Sequence, residues 1–411
     1  MQQYSSTSLD NSISRIYYEK IYKKLPISLK KLTFQIFYSL KLSILVRIKH
    51  LKIPIFSIVG KEKHNHAELK ILFCGEKQSL DYLLNIIYSE KPEVEFLEKI
   101  SIFFLSKKLR KATKTYDMVF VKTDRFFTQY IQKKGFDVLP EWAEMQLDIT
   151  KPFEELSNKF TKSAKDDIRK IKIIDYKYKF SSDSDIFEDF YHKIYHPFIV
   201  SRHEELTIPE ATNYNEIKVL FEKGSLFIVQ DKDRVVSGFI PLISGSTAFF
   251  TYAGVEIKDN YLTKAAGSAL YYFFIDWSKK QGFKLLKFGG VRPFLDDGLF
   301  DYKKKWGMSV KIYENMYGVF GLKILNKESK AVYDFLINNP FIYIEGNELN
   351  GMVFTKDKLD TEVIQQIWKA YYIPGLIKIT IVTTQKIDEK VKSFISSEYN
   401  GKIMLKERLV D

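Results

Sequence analysis

Five side chains able to hold charge or move a proton fall close together: Arg292, Asp296, Asp297, Tyr302 and Lys303. They follow an apolar run, Leu285-Leu286-Lys287-Phe288, that breaks at Gly289-Gly290. Glycine frees the backbone to bend sharply or to approach a ligand closely. A guanidinium grips carboxylate or phosphate, a carboxylate accepts a proton, and an ammonium opposes developing negative charge. The pattern predicts a buried strand, a turn holding Arg292-Pro293 and Asp296-Asp297-Gly298, and a short helix from about Leu299 to Trp306 ended by Gly307. Open α/β sheets place their chemistry at such strand-turn-helix ends.

Three of the six histidines lie elsewhere, at His192, His196 and His203. His192 and His196 stand one helical turn apart, but Lys193 occupies the place of the acid in a zinc-protease helix, so no metal site is read. His203, beside Arg202, Glu204 and Glu205, is either an ordinary loop residue or a general base with Arg202 as a substrate contact. The one cysteine, Cys74, excludes an internal disulfide framework and multi-cysteine metal sites. Set in Ile71-Leu72-Phe73-Cys74, it reads as a small core residue.

These residues need a scaffold, and 411 residues of which 45 % are apolar supply enough for two or three packed domains. The formal charge of +13 is uneven: residues 1–63 hold 12 Lys or Arg against 3 Asp or Glu, a net +9. Within this leader Ile36, Leu40, Ile44 and Ile48 repeat every fourth residue among lysines. Such a helix either packs on its own protein or lies on an anionic membrane surface, and RNA is a further basic-surface partner. No signal peptide or membrane span is read, so the chain is taken as cytoplasmic, with the leader suited to the inner face of a membrane.

Four segments are expected: the basic amphipathic leader 1–63, a small α/β unit 64–140, a central domain 141–321 and a second small α/β unit 322–411. In the first α/β unit the apolar runs Leu69 to Phe73, Ile100 to Leu105 and Met118 to Val121 are read as strands. The central domain opens with a strand, Trp142 to Ile149, and one amphipathic helix with Phe153, Leu156, Phe160, Ala164, Ile168 and Ile171 on its apolar face. A second helix carries Phe187, Phe190, Tyr191, Ile194, Tyr195 and Phe198. Strands at Ser225 to Val229, Val235 to Ile243 and Thr247 to Tyr252 form an antiparallel meander. A long helix along Leu262 to Trp277, the glycine-broken strand and a final strand, Val310 to Val319, complete it.

Helix, helix, meander, long helix, strand, short helix, strand resembles the GNAT acyltransferases. More specifically, Gly289-Gly290-Val291-Arg292-Pro293, Asp297-Gly298 and Tyr302-Lys303-Lys304-Lys305-Trp306-Gly307 resemble the FemAB-like branch. The resemblance covers 142 to about 321. It implies a GNAT-like mixed sheet with helices on both faces, an α/β (α+β) fold, and transfer of an acyl group from an activated donor to an amine of a sugar, peptide or lipid, as in cell-envelope synthesis. It implies a donor held where two parallel strands part, with backbone N–H groups near Ala253 and Gly254 on its carbonyl. Lys264, Gly267 and Ala269 resemble the loop that binds the donor's phosphates. Gly289, Gly290, Arg292, Arg202 and Trp306 would surround the acceptor, and Asp297, His203 or a relayed water would serve as base. Ordinary GNAT enzymes commonly protonate the leaving thiolate with a tyrosine four residues before the closing glycine; here that residue is Lys303, and Tyr302 falls one place early. The implied co-substrate is acyl-CoA, with no cofactor tightly bound. An aminoacyl-tRNA donor and a non-enzymatic membrane-surface scaffold are the competing readings.

Overall fold

A computed structural model describes residues 52–202, 212–313 and 318–407. The leader through Leu51 and His203 lie outside these residues. The chain divides into two compact units, one of residues 1–138 with 317–332 and one of residues 139–316 with 333–411.

The first unit is built on a six-stranded sheet from β1 (Ile53–Lys61), β2 (Glu68–Cys74), β3 (Glu93–Ile100), β4 (Met118–Asp124), β5 (Asp137–Pro140) and, from much later in the chain, β13 (Gly318–Ile324), in the order β3-β1-β2-β4-β13-β5. β2 and β4 are fully apolar through Ile71-Leu72-Phe73-Cys74 and Met118-Val119-Phe120-Val121, and they pair in parallel at the centre, as continuous buried runs do. Two expectations change here. The stretch Ile100 to Leu105 is the end of β3 followed by a 3-10 turn, Ile102–Phe104, because Ser101 accepts the Phe103 N–H and turns the chain. The run from Val310 to Val319 is two strands in two different sheets, with Gly318–Ile324 filling the gap beside β4.

The second unit carries a seven-stranded mixed sheet, ordered β12-β6-β11-β10-β9-β8-β7. Its strands are β6 (Ala143–Asp148), β7 (Lys177–Ser181), β8 (Leu226–Asp231), β9 (Arg234–Ser244), β10 (Thr247–Val255), β11 (Leu285–Val291) and β12 (Ser309–Ile312). β8, β9 and β10 form the antiparallel meander, and β10 pairs with β11 in parallel. The Ala266–Lys280 helix makes the crossover between them. One face of the sheet holds a chain of rings: Phe239 packs on Phe250 and Phe274, both of these reach Phe288, and Tyr271 stacks between Phe288 and Trp306. Offset and edge-on contacts of this kind suit the ring quadrupole.

The single helix expected from Phe153 to Ile171 is two, Phe153–Asn158 and Lys162–Ile174. Thr161 starts the second by accepting the Ala164 N–H, and its own N–H is bonded to the Lys305 carbonyl. The second helical region runs from Ser184 to Arg202, but its middle, Phe190–Tyr195, is a π turn. Beyond residue 332 a four-stranded sheet, β14 (Phe341–Glu345), β15 (Glu348–Thr355), β16 (Leu376–Thr383) and β17 (Ile403–Glu407), completes the unit. No described helix is long and apolar enough to cross a membrane.

Candidate active site at the parting of two parallel strands

β10 and β11 share only three paired positions, Thr247 with Leu285, Ala248 with Leu286 and Phe249 with Lys287. Past them each strand bulges against its outer neighbour. On β10, Thr251 pairs with Ile240 and Gly254 with Gly238, so Tyr252 and Ala253 oppose one residue of β9, and Tyr252 takes φ +50. On β11, Lys287 pairs with Gln146 and Gly290 with Glu144, so Phe288 and Gly289 oppose one residue of β6. Gly289 has φ +74, a conformation that glycine adopts without steric cost. A bulge bends its strand and increases its twist, so two bulges placed just beyond the last shared pair drive the strands apart.

The opening is supported from both sides. A Cβ on Gly254 would lie 2.7 Å from the Tyr195 Cα, and one on Gly238 2.9 Å from the Phe190 ring, so both positions accommodate the π turn against the meander. π turns recur at functional sites. Ala253 is half-buried on the bulge, and Gly254 is buried beneath Tyr195.

Below β11 the Gly298–Lys304 helix starts at Asp297, whose Oδ1 accepts the N–H groups of Leu299 at 3.0 Å and Phe300 at 3.1 Å. This cap fixes the helix and with it Lys303. The Lys303 side chain is buried, and its Nζ donates to the carbonyls of Phe288 at 2.6 Å and Gly290 at 3.0 Å. It therefore bonds the two carbonyls that flank Gly289 in the bulge of β11. Burial pushes its pKa down to about 7, opposed by the nearby Asp297 carboxylate. Arg292 is half-buried just past β11, and Gly290 is held close, since a Cβ there would meet the Trp142 ring at 3.3 Å. Asp296 accepts a hydrogen bond from Tyr371 at 3.3 Å, and burial raises its carboxyl above the usual range.

The other expected positions divide. Tyr302 turns away from Lys303, toward the first turn of the Ala266–Lys280 helix, where its hydroxyl lies 2.9 Å from Ser268 Oγ and burial raises its pKa. Trp306 is fully buried between Phe160 and Tyr271, out of reach of any substrate. Arg202 is exposed, its guanidinium over the Phe198 ring. Lys264 is exposed, with its ammonium 4.9 Å from the Tyr261 ring centre; Gly267 lies against the Tyr302 hydroxyl, and Ala269 is buried.

A half-buried polar cluster here had no signal in the sequence. Asp167 Oδ2 accepts from Ser268 Oγ and from Lys305 Nζ, each at 2.6 Å; Lys305 Nζ also reaches Ser268 Oγ at 3.2 Å and stands 3.9 Å over the Tyr302 ring. Its members are up to 138 residues apart, so no local spacing could bring them together. The first turn of the helix thus carries an internal Asp167–Lys305 ion pair close to where the donor's phosphates were expected. A second near-buried pair, Lys287 with Glu144 at 3.0 Å, ties β11 to β6 across the bulge, starting from the last position β11 shares with β10. Among the described residues no group of three or more His, Cys, Asp or Glu could hold a metal ion.

No family model and no curated protein matches the chain. Among solved structures, it is similar to FemX at 15% identity and TM-score 0.34, over 68% of this chain and 86% of that one. It is similar to L-PGS from Bacillus licheniformis at 11% identity and TM-score 0.33, over 69% and 88%, and to a probable N-acyltransferase from Enterococcus faecalis V583 at 14% and 0.29, over 75% and 70%. The GNAT-like arrangement rests on the strand order and the parted parallel pair, not on these likenesses.

Proposed function

We propose that the chain is an N-acyltransferase whose donor lies between β10 and β11 and whose oxyanion is met by Lys303. The observation that supports it is the opening made by twin bulges, with a buried ammonium anchored on one wall. The acceptor's neutral amine attacks the activated acyl carbon. A C–N bond forms, the bond from that carbon to the donor's sulfur or oxygen breaks, and the proton lost by the amine ends on the leaving group.

In the tetrahedral intermediate the former carbonyl oxygen carries negative charge. An ammonium has three N–H donors. Two of those on Lys303 point to Phe288 and Gly290, and the third serves the oxyanion from a fixed position. Such preorganised donors need no rearrangement as charge develops, and one is worth about 10²–10³ in rate. Backbone N–H groups at Tyr252 and Ala253, where the bulge interrupts regular pairing with β9, would orient the donor's carbonyl. Asp297 is committed through Oδ1 to its cap, so the acceptor amine loses its proton to water or to the other carboxylate oxygen.

The nature of the donor is the finer question. An acyl-CoA pyrophosphate would approach a helix end occupied by the Asp167–Lys305 ion pair; an aminoacyl-tRNA donor is the second reading. Mass spectrometry of what co-purifies with the protein, with Lys303→Met as control, tests both. A CoA ester or a charged tRNA lost from a lysate after substitution of an opening residue such as Ala253→Trp supports the proposal. A Lys303→Met protein that transfers acyl groups as fast as wild type overturns it.

A further inference from the structure

The first unit presents a surface that the transferase reading does not use. Two 3-10 turns, Ile102–Phe104 after β3 and Arg125–Phe127 after β4, stand side by side. Each is fixed by a side-chain cap, with Ser101 Oγ accepting the Phe103 N–H and Asp124 Oδ1 the Phe126 N–H. Phe103 packs edge-on against Phe127 and Tyr130, and the Tyr130 hydroxyl donates to the Phe103 carbonyl, so the turns form one rigid tip. At that tip Phe103, Phe104 and Phe126 are 55%, 65% and 60% exposed. Farther back on edge strand β3, Val94 and Phe96 share one face and are also exposed, alternating with exposed Glu93 and Glu95.

Cations flank the tip itself. Lys52, Lys99, Lys107, Arg110 and Arg125 are exposed, and Lys108 is half-exposed. Beside Phe104 is an open hollow of about 690 Å³, lined by Lys52, Lys99, Lys107, Lys108, Ser101 and Glu98 among others. Glu98, its one acid, is already paired with Lys108 at 2.5 Å.

We propose that this tip docks on an anionic phospholipid surface, the three phenylalanines entering the acyl boundary while a lipid phosphate occupies the lysine-lined hollow. Solvent-facing phenylalanine is costly unless an apolar phase takes it up, and aromatic side chains favour the bilayer interface. Lysines and arginines close to an anionic leaflet add attraction over about a Debye length. Charge disfavours the chain's own first 51 residues as the occupant: they hold 9 Lys or Arg against 2 Asp or Glu, the same sign as the hollow. RNA is less suited, because Phe103 already has its ring against Phe127 and Tyr130, and Phe104 and Phe126 sit on separate turns rather than along one stacking platform.

The test is co-sedimentation of the full chain with vesicles of phosphatidylcholine alone or mixed with phosphatidylglycerol. Wild type is expected to pellet with the mixed vesicles only, and less as salt rises. The Phe103→Ser, Phe104→Ser, Phe126→Ser triple variant should bind at least about tenfold more weakly, and so should Lys107→Glu with Lys108→Glu. Phe103, Phe104, Phe126 and Lys107 are exposed and Lys108 is half-exposed, and an unchanged melting temperature confirms the fold. A triple variant that binds as wild type does would place the binding elsewhere, the leader included, and overturn the proposal. So would wild-type binding to neither vesicle, RNA binding abolished by the triple substitution without vesicle binding, or a solution dimer that the same substitution dissociates.

Discussion

Lys303 concentrates two opposing demands in one side chain. Its ammonium is anchored by two carbonyls, which favours the charge, and buried, which opposes it; burial dominates and brings the pKa to about 7. For catalysis the sign follows directly. Under the proposed role the protonated form is the one that would meet an oxyanion, so transfer should fall as pH rises through about 7, while deprotonation of the acceptor amine would make it rise with pH. The expected profile is a bell whose basic limb belongs to Lys303. Lys303→Met should lower kcat by about 10² or more and erase that limb, as steady-state rates against pH will show. For stability, the unfolded chain keeps this proton up to 10.5 while the native chain releases it near 7. Between those values the unfolded state binds more protons, so this group makes native stability rise with pH. The difference in Tm between wild type and Lys303→Met should therefore move in wild type's favour from pH 7 to pH 10. Cys74 gives a simpler case: buried at the end of β2, its thiol is pushed up to about 12. An aromatic disulfide reagent should leave it unmodified in the native protein and titrate one thiol in denaturant.

At the level of elements, the opening depends on glycines that permit contact rather than ones that merely bend. Gly254→Ala would set a methyl 2.7 Å from the Tyr195 Cα, backbone that cannot swing aside, so it should cost about 1–3 kcal/mol in a denaturant melt. Gly298→Ala, where a Cβ meets nothing within 4 Å, should cost little by the same measure. The meander, the long helix and the Gly298–Lys304 helix were readable from periodicity and turn residues, because each is a local pattern of one apolar face and one breaker. The twin bulges were not: whether Tyr252-Ala253 and Phe288-Gly289 oppose two residues or one is decided by their partner strands. The break at Thr161 was hidden because Phe160 and Ala164 keep helical spacing across it. The place of Lys303 on the short helix was legible from its position before Trp306-Gly307, whereas Asp167, Ser268 and Lys305 meet only through tertiary packing, and Trp306, read as a substrate contact, proved to be core.

On the scale of the second unit, the four-stranded sheet after residue 332 holds the turn that carries Arg292 and Asp296. The Ile342 N–H donates to the Pro293 carbonyl at 2.7 Å, and the Leu295 N–H to the Pro340 carbonyl at 2.8 Å. Tyr371 bonds Asp296, and Lys304 bonds the Ala370 carbonyl. Gly375 brings β16 in against β12: the Val310 N–H donates to the Pro374 carbonyl at 2.8 Å, and a Cβ at Gly375 would lie 1.9 Å from the Val310 carbonyl oxygen. Its φ of +103 already disfavours any other residue. Gly375→Ala should thus push the two sheets apart at this seam and lower Tm by several degrees. If the seam positions the site turn, hydrogen exchange should quicken at the Leu295 and Ile342 amides, and transfer should slow although no side chain of the opening has been touched. Tyr371→Phe removes a single bond to the same turn and should give a smaller change in the same direction. Quickened exchange at the seam with an unaltered transfer rate would leave the C-terminal sheet a support for folding alone.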